Sequence, residues 1–421
     1  MNDSNNIFLA TSNVLTQIDV KDLQIGMYVS QLDKPWLESS FIFQGFELMS
    51  QTDIDAVKSE CQYVFIDMEK QSKYLQPKFS RFKEPEADNS RYERYSSFTK
   101  EIEKTQEVYQ KTSTLVKSFM DGVALGRGIN VEIAKQAVAE CVACVLKSPD
   151  AILWMTQLKN RDLYTAQHSM NVCLLAILLA RKMGFNEEQL NQVGLCGMMH
   201  DMGKMLIPLE VLNKPGRFEP HELTLMKKHP EHGRNLLIKS KDMYGGAIDV
   251  AYSHHERMDG KGYPRGLSGE HLSDETRIVT IVDMYDAMTS DRVYQKGRTH
   301  RDAIDEMLKM RGSHLDPGYL IKFIEALGLY PAGSVVEMSN GEVGVIIEVG
   351  PGRQLKPKVM LCLDEDKKLR PPRHIDLFKL DLDANGKGYK IKRLINGHDY
   401  GVDNEMIESY VKSTIVDSKL L

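Results

Sequence analysis

The chain has 421 residues, enough for two or three domains, and its 42% hydrophobic and 27% charged residues can bury a sizeable core. A net charge of −5 removes the electrostatic case for a general nucleic-acid binder, although such a sum hides any local basic pocket. The start, Met1-Asn2-Asp3-Ser4-Asn5-Asn6, is polar and carries no secretory pattern; no window reaches a membrane span, Val172 to Met183 being short and broken by Arg181 and Lys182. A cytoplasmic protein, with no membrane and no nucleic-acid polymer as partner, is expected.

Residues 1–70 read as a small α/β module. Strand-like stretches fall in Ile18 to Tyr28, with Gly26 as punctuation, in Phe41 to Phe46 and in Tyr63 to Ile66, around a helix from Thr52 to Glu60. Residues 71–149 read as a charged linker and connecting helices. Glu69 to Tyr95 is rich in Lys, Glu, Arg, Ser and Pro and poor in aliphatics. Arg94 to Phe119 turns helical, with Ile102, Val108, Leu115 and Phe119 widely spaced; this is a connector or a dimerisation helix, which would make a homodimer, or a solvated helix packed on one side. Asn130 is placed to cap a helix from Val131 to Leu146.

The six Cys (Cys61, Cys141, Cys144, Cys173, Cys196 and Cys362) form no disulfide framework. Cys141 and Cys144 suit a redox or zinc half-site, or two small core residues on one helix face; no second CxxC completes a zinc site, which favours the core. Residues 150–330 alternate helices with short loops and form an α-helical domain. Beyond Tyr330-Pro331, Ser334 to Met338, Gly344 to Val349 and Lys358 to Leu363 are β-rich runs separated by Asn340-Gly341 and Pro351-Gly352. Residues 331–421 are therefore expected to be a β-rich appendage, with a terminal helix over Glu405 to Val411. The fold class is mainly α, with a small α/β module before the helical core and a small β-rich domain after it.

Of the 12 His, seven lie between His168 and His255, in combinations that core packing rarely produces. His168 shares a helical face with Val172, Leu175 and Leu179 in a helix from Asp162 to Lys182, so it points inward. His200-Asp201 follows a helix from Glu187 to Met199 and precedes Gly203-Lys204, where a positive φ at Gly203 would end the helix. His229 is read as ending a helix before Pro230, and His254-His255-Glu256 closes a helical run from Ala247 to Ser253. Asp283 interrupts the apolar run Ile278 to Val282, where a carboxylate is costly unless it is paired or binds a cation. Five imidazoles and two carboxylates suffice for two divalent ions; with Asp201 bridging, each gains about four protein ligands. Two such ions about 3.5–4 Å apart hold a bridging hydroxide for in-line attack at phosphorus. These residues point to a metal-dependent phosphohydrolase using Fe, Mn, Ni, Co or Zn.

His200-Asp201-Met202-Gly203-Lys204, the element from His254-His255-Glu256 to Gly262-Tyr263-Pro264, Asp283 to Arg292, and Tyr164-Thr165-x-x-His168-Ser169 together resemble the motifs of the HD-GYP family of HD-superfamily phosphohydrolases. The match covers roughly residues 150–330. The resemblance implies hydrolysis of a cyclic dinucleotide, chiefly cyclic di-GMP, to the linear dinucleotide in bacterial signalling. It assigns His168, His200, Asp201, His229, His254, His255 and Asp283 as metal ligands, Lys204 as catalytic lysine and Arg292 as a contact to phosphate or guanine. For Arg292 a salt bridge to Asp291 is the competing reading. Gln295 stands where the family often has a basic residue, with Lys296 beside it as a substrate contact. Gly262, Tyr263 and Pro264 shape a loop, with docking of signalling proteins a further expectation. Three-metal members carry a Glu where this chain has Tyr164; two ions are expected, and cleavage onward to mononucleotide is in doubt. Ile25 to Val29 and Pro35-Trp36-Leu37 resemble the small domain that often precedes HD-GYP. The competing readings are a hydrolase of 3'3'-cyclic GMP-AMP or another nucleotide, and a weakly active cyclic-dinucleotide sensor.

Overall fold

The structure is a computed structural model, and it describes residues 15–23, 27–36, 39, 41, 45–48, 51–67, 98–157, 164–290, 297–349, 355–380, 382–383, 386, 388–402 and 406. The expected linker from Glu69 to Tyr95, Pro351-Gly352, Arg292, Gln295, Lys296 and almost all of the expected terminal helix lie outside the described residues. The chain divides into two compact units, Met1–Arg81 and Phe82–Leu421.

In the first unit, β1 (Leu15–Asp19), β2 (Tyr28–Leu32), β3 (Phe46–Glu47) and β4 (Tyr63–Asp67) form an antiparallel sheet in the order β1-β4-β2-β3. Val29, Val64 and Ile66 on the sheet and Ile54 and Val57 on α1 (Gln51–Glu60) supply one apolar core. The stretch from Ile18 to Tyr28 is not one strand: β1 ends at Asp19, whose carboxylate accepts the Lys21 N–H and starts a 3-10 turn over Val20–Asp22. An Asx side chain competes with the sheet ladder in this way.

In the second unit, α2 (Phe98–Ala124), α3 (Val131–Lys147) and α4 (Pro149–Gln157) precede α5 (Tyr164–Lys182) and α6 (Glu187–Met199). The Asn130 carboxamide accepts the Ile133 N–H, so the expected cap is present. Cys141 and Cys144 are buried on α3. α5 is covered on all sides: Val172, Leu175 and Leu179 are buried, and α2, α3 and α6 pack on it. Small residues allow the close approach of α6. A Cβ on Gly197 would lie 2.9 Å from Cys173 Cα and 3.0 Å from the Val172 carbonyl oxygen. A 3-10 turn over Met202–Leu206 follows, then α7 (Leu209–Leu212), α8 (Pro220–Met226), α9 (His229–Lys239) and α10 (Gly245–Ser253). After a long loop come α11 (Asp274–Thr289), α12 (His300–Lys309) and α13 (Pro317–Leu327).

The C-terminal strands β5 (Val335–Met338), β6 (Val343–Glu348), β7 (Lys358–Leu363), β8 (Leu369–Asp376) and β9 (Ile391–Ile395) form an antiparallel sheet in the order β8-β7-β6-β5-β9. Asn340-Gly341 makes the expected hairpin, with Gly341 at φ 95°. β8 escaped the sequence reading because it contains Pro371 and Pro372, which a sheet tolerates at the edge it occupies. The sheet is tied to the helices where the Asp150 carboxylate on α4 accepts the Val349 N–H at 3.1 Å.

Because α6 carries His200 at its C-terminal end, its seat on α5 fixes one edge of the candidate site. Gly197→Ala is expected to cost about 1–3 kcal/mol through forced separation of the two backbones. Thermal unfolding should show a midpoint lowered by several degrees; an unchanged midpoint would mean that the helices separate freely.

Candidate metal centre

Seven side chains from five elements converge. His168 comes from α5, His200 caps α6 with Asp201 next in the chain, and His229 is the first residue of α9. His254 caps α10 with His255 beside it, and Asp283 lies on α11. Two of the sequence readings are corrected. His229 starts a helix rather than ending one, because Pro230 lacks an N–H and is at home in a first turn. Gly203 does not take a positive φ. Its role is close approach: a Cβ there would sit 2.0 Å from the His229 carbonyl oxygen and 2.4 Å from the Gly233 nitrogen.

Nitrogen and oxygen atoms of His168, His200 and Asp283 lie within 4.8 Å of one another, as do those of His229, His254 and His255. Asp201 stands between the two groups. Its Oδ2 lies 3.2 Å from His200 Nε2 and 3.6 Å from His168 Nε2, while its Oδ1 lies 3.5 Å from His229 Nε2 and 3.6 Å from His254 Nε2. Asp283 Oδ1 is 3.1 Å from His168 Nε2. Lys204, in the 3-10 turn, forms an ion pair with Asp201 Oδ2 and keeps a quarter of its side chain exposed.

Three of the rings turn their second nitrogen to a backbone carbonyl. Nδ1 of His200 meets the Gly197 carbonyl at 2.7 Å, that of His229 the Met226 carbonyl at 2.7 Å, and that of His254 the Val250 carbonyl at 3.1 Å. A carbonyl can only accept, so the proton of each neutral ring sits on Nδ1 and its Nε2 carries a lone pair. His229 and His254 then face each other, Nε2 to Nε2, at 3.2 Å with no proton for the contact. His255 Nε2 is 3.1 Å from the same His229 atom. His200 Nε2 and Asp201 Oδ1 are buried without a hydrogen-bond partner. Unpartnered buried lone pairs converging with a carboxylate are what a divalent cation needs, and the mixed imidazole and carboxylate set suits a transition metal.

The electrostatics fit the same purpose. Burial, with the neighbouring His254 and His229, holds the His255 ring well below its usual pKa; burial pushes His229 down to about 3. Both rings stay neutral. Burial opposes the charge on Asp201, yet Lys204 and His200 hold its carboxyl well below the ordinary range; His168 does the same for Asp283 against burial. His168 runs the other way: burial disfavours its charge, but its hydrogen bonds with Asp283 and Asp286 push it up to about 9, so a cation at Nε2 has to displace a proton there.

Four residues escaped the sequence reading. Asp286 accepts from His168 Nδ1 at 2.8 Å; its position three residues after Asp283 puts both carboxylates on one helix face, which was the available signal. Asn171 and Tyr109 stand behind Asp286; Asn171 lies three residues after His168 on the same helix face, and nothing in the spacing marks Tyr109. Glu256, quoted within the motif but given no role, is buried and accepts the backbone N–H groups of Arg265 at 2.6 Å and Leu267 at 3.0 Å. It pins the loop carrying Gly262, Tyr263 and Pro264 to the end of α10. A Cβ on Gly262 would fall 2.4 Å from Glu256 Cα, so the turn needs glycine. The loop reaches the site directly: the Tyr263 ring stacks on His255 with centroids 4.7 Å apart, and the Lys227 ammonium lies 5.0 Å over Tyr263.

Residues 151–318 match the HD domain family, and residues 335–400 match a KOW domain associated with the HD domain. Residues 15–134 match a domain of unknown function (DUF3391). A Pseudomonas aeruginosa protein named cyclic di-GMP phosphodiesterase is 33% identical over 370 residues, covering 86% of this chain and 88% of that protein. The chain belongs to the HD-GYP family. Other relatives match over the helical domain. A Xanthomonas campestris cyclic di-GMP phosphodiesterase response regulator is 38% identical over 162 residues, 38% of this chain and 43% of its own length. A Vibrio cholerae 3'3'-cGAMP-specific phosphodiesterase is 33% identical over 168 residues, 40% of this chain and 31% of its own length. HD-domain phosphohydrolases are metal-dependent, which agrees with the donor set of this HD-GYP chain. No helix among the described residues is long and apolar enough to cross a membrane.

The Glu256 anchor has a measurable consequence. Glu256→Ala leaves two partly buried N–H groups without an acceptor and is expected to cost about 1–3 kcal/mol. Faster limited proteolysis between residues 257 and 268 would report the loosened loop, and protection equal to wild type would reject the anchoring role.

Proposed function

We propose that this chain is a metal-dependent phosphodiesterase that hydrolyses cyclic di-GMP to the linear dinucleotide, with the chemistry in residues 150–330 and two divalent transition-metal ions at the site. The observation that carries this reading is Asp201: one buried carboxylate turns one oxygen to each of two imidazole groups. His168, His200 and Asp283 would hold one ion, His229, His254 and His255 the other, with Asp201 shared. Bound there, divalent ions acidify water and neutralise phosphate charge.

The chain's own residues supply the rest. Lys204, exposed on one side and paired with Asp201 on the other, is placed to offer its ammonium to a phosphate oxygen as negative charge develops. Tyr263 covers His255 and limits the motion of its ring. Arg292 and Lys296 are proposed as substrate contacts; a guanidinium suits both a phosphate and a guanine edge. The count of two ions rests on Tyr164, which replaces the carboxylate of three-metal relatives, and it argues for a product that stops at the linear dinucleotide. Fe, Mn, Ni, Co and Zn all suit the donors.

Purified protein loaded in turn with Mn, Fe, Ni or Mg should cleave cyclic di-GMP faster than 3'3'-cyclic GMP-AMP. No cleavage of any cyclic dinucleotide with any metal would reject the enzyme reading, and preference for the mixed dinucleotide would reassign the substrate. Asp201→Ala should lose both metal and activity. Lys204→Ala should keep its metal and lose about 10²–10³-fold in kcat. Elemental analysis should give two ions per chain; three would overturn the argument from Tyr164.

A further inference from the structure

The hydrogen bonds behind His168 do not stop at Asp286. Asp286 is buried on α11, and its Oδ1 accepts from Asn171 Nδ2 at 2.9 Å. Its Oδ2 accepts from His168 Nδ1 at 2.8 Å and from the Ser290 hydroxyl at 3.1 Å. Asn171 lies three residues after His168 on α5, so both reach the same carboxylate from one helix face. The Asn171 carboxamide in turn accepts from the Tyr109 hydroxyl at 2.8 Å. Tyr109 is buried on α2, a helix that packs both on α5 and on the turn carrying Lys204.

We infer that Tyr109 and Asn171 are positioning residues of the metal centre, through which the seat of α2 sets the aim of His168. The inference rests on the reading of His168 as a metal ligand. Its logic is one of donors and acceptors. Asp286 is an acceptor toward both His168 and Asn171, so Asn171 must present its NH₂ to Asp286 and its carbonyl to the other side. That carbonyl needs a donor, and the Tyr109 hydroxyl supplies it. The phenol stays protonated, because burial and the nearby Asp286 charge raise its pKa. With the hydroxyl in place, the amide is held in the one orientation that braces Asp286. Without it the amide is held only from its Nδ2 side, by Asp286 and by a long 3.4 Å bond to the Thr156 carbonyl, and the brace opposite His168 is weakened. Partners behind a metal-ligating histidine set ring orientation and basicity, and their loss typically weakens metal binding. A displacement of α2 would therefore reach His168 through this hydroxyl, although Tyr109 touches none of the seven side chains in the contacts described.

The test uses the full chain stripped of metal and titrated with Mn(II) alone, with free Mn(II) read by electron paramagnetic resonance. Tyr109→Phe keeps the ring and removes only the hydroxyl; it should weaken one of the two Mn(II) affinities about fivefold, the worth of one buried hydrogen bond. Asn171→Ala should weaken the same affinity about tenfold or more. The double variant should match Asn171→Ala, because Tyr109 acts through Asn171. Melting curves of the metal-free variants accompany the titrations. A Tyr109→Phe protein that melts lower but binds Mn(II) like wild type overturns the inference, as do additive losses in the double variant. A wild-type chain that binds Mn(II) with this pattern yet cleaves no cyclic dinucleotide sustains the positioning role and rejects the substrate instead. A wild-type chain that binds no Mn(II), and no Ni(II) or Zn(II) in parallel titrations, rejects both.

Discussion

The structure turns on a buried carboxylate whose two oxygens serve different neighbours. Asp201 is sealed from solvent, and a charge in that position is unfavourable unless cations or donors surround it. Lys204 provides one positive partner, and His168, His200, His229 and His254 bring Nε2 atoms within 3.6 Å of its oxygens. The surrounding helices therefore serve a geometric demand. α6, α9 and α10 each end or begin where their histidines meet this carboxylate, while α5 and α11 pass it and present His168 and Asp283 from within the helix.

A repeated local device meets that demand. His200 and His254 each sit at a helix C-terminus and return Nδ1 to a carbonyl three or four residues earlier; His229 does the same to Met226, the last residue of α8. Helix C-termini have orphan carbonyls in need of donors. Each such bond gives a carbonyl at a helix end a side-chain donor, the Val250 carbonyl taking the His254 backbone N–H as well, and aims Nε2 at the centre. The same helix ends carry partial negative charge, which favours a cation there. His168 is the exception. It lies inside a helix, where every carbonyl is taken, and so it needs a carboxylate behind it. This is why the network of Asp286, Asn171 and Tyr109 stands behind this ring and not behind the other three.

Close backbone contact does the remaining work of assembly. Gly203 seats the turn carrying Lys204 against the start of α9, Gly197 seats α6 on α5, and Gly262 folds the loop with Tyr263 back over His255. In each case a side chain would hold apart two backbones that bear site residues. The loop gains its anchor from Glu256, whose carboxylate is spent on Arg265 and Leu267 N–H groups rather than on a metal.

The sequence by itself determined the class of the molecule and named the seven side chains that the structure brings together. Helical periodicity marked α5 and turned His168 inward, Asn130 announced the start of α3, and Asn340-Gly341 announced the β5–β6 hairpin. These signals are local, fixed by neighbours within a few residues. The seven converging residues were legible because metal-binding groups at short spacings in an apolar setting have few other uses, and the motif around Gly262 named the family. Tertiary structure alone decided the rest. That Asp201 divides its oxygens between two groups depends on where five elements cross. The role of Gly203 is set by a strand of backbone thirty residues downstream, which no local rule anticipates. Pro371 and Pro372 hid β8 until the sheet order placed it at an edge. Tyr109 is an ordinary helix residue until packing lays α2 against Asn171, because a hydrogen bond across 62 residues leaves no periodic trace in the chain.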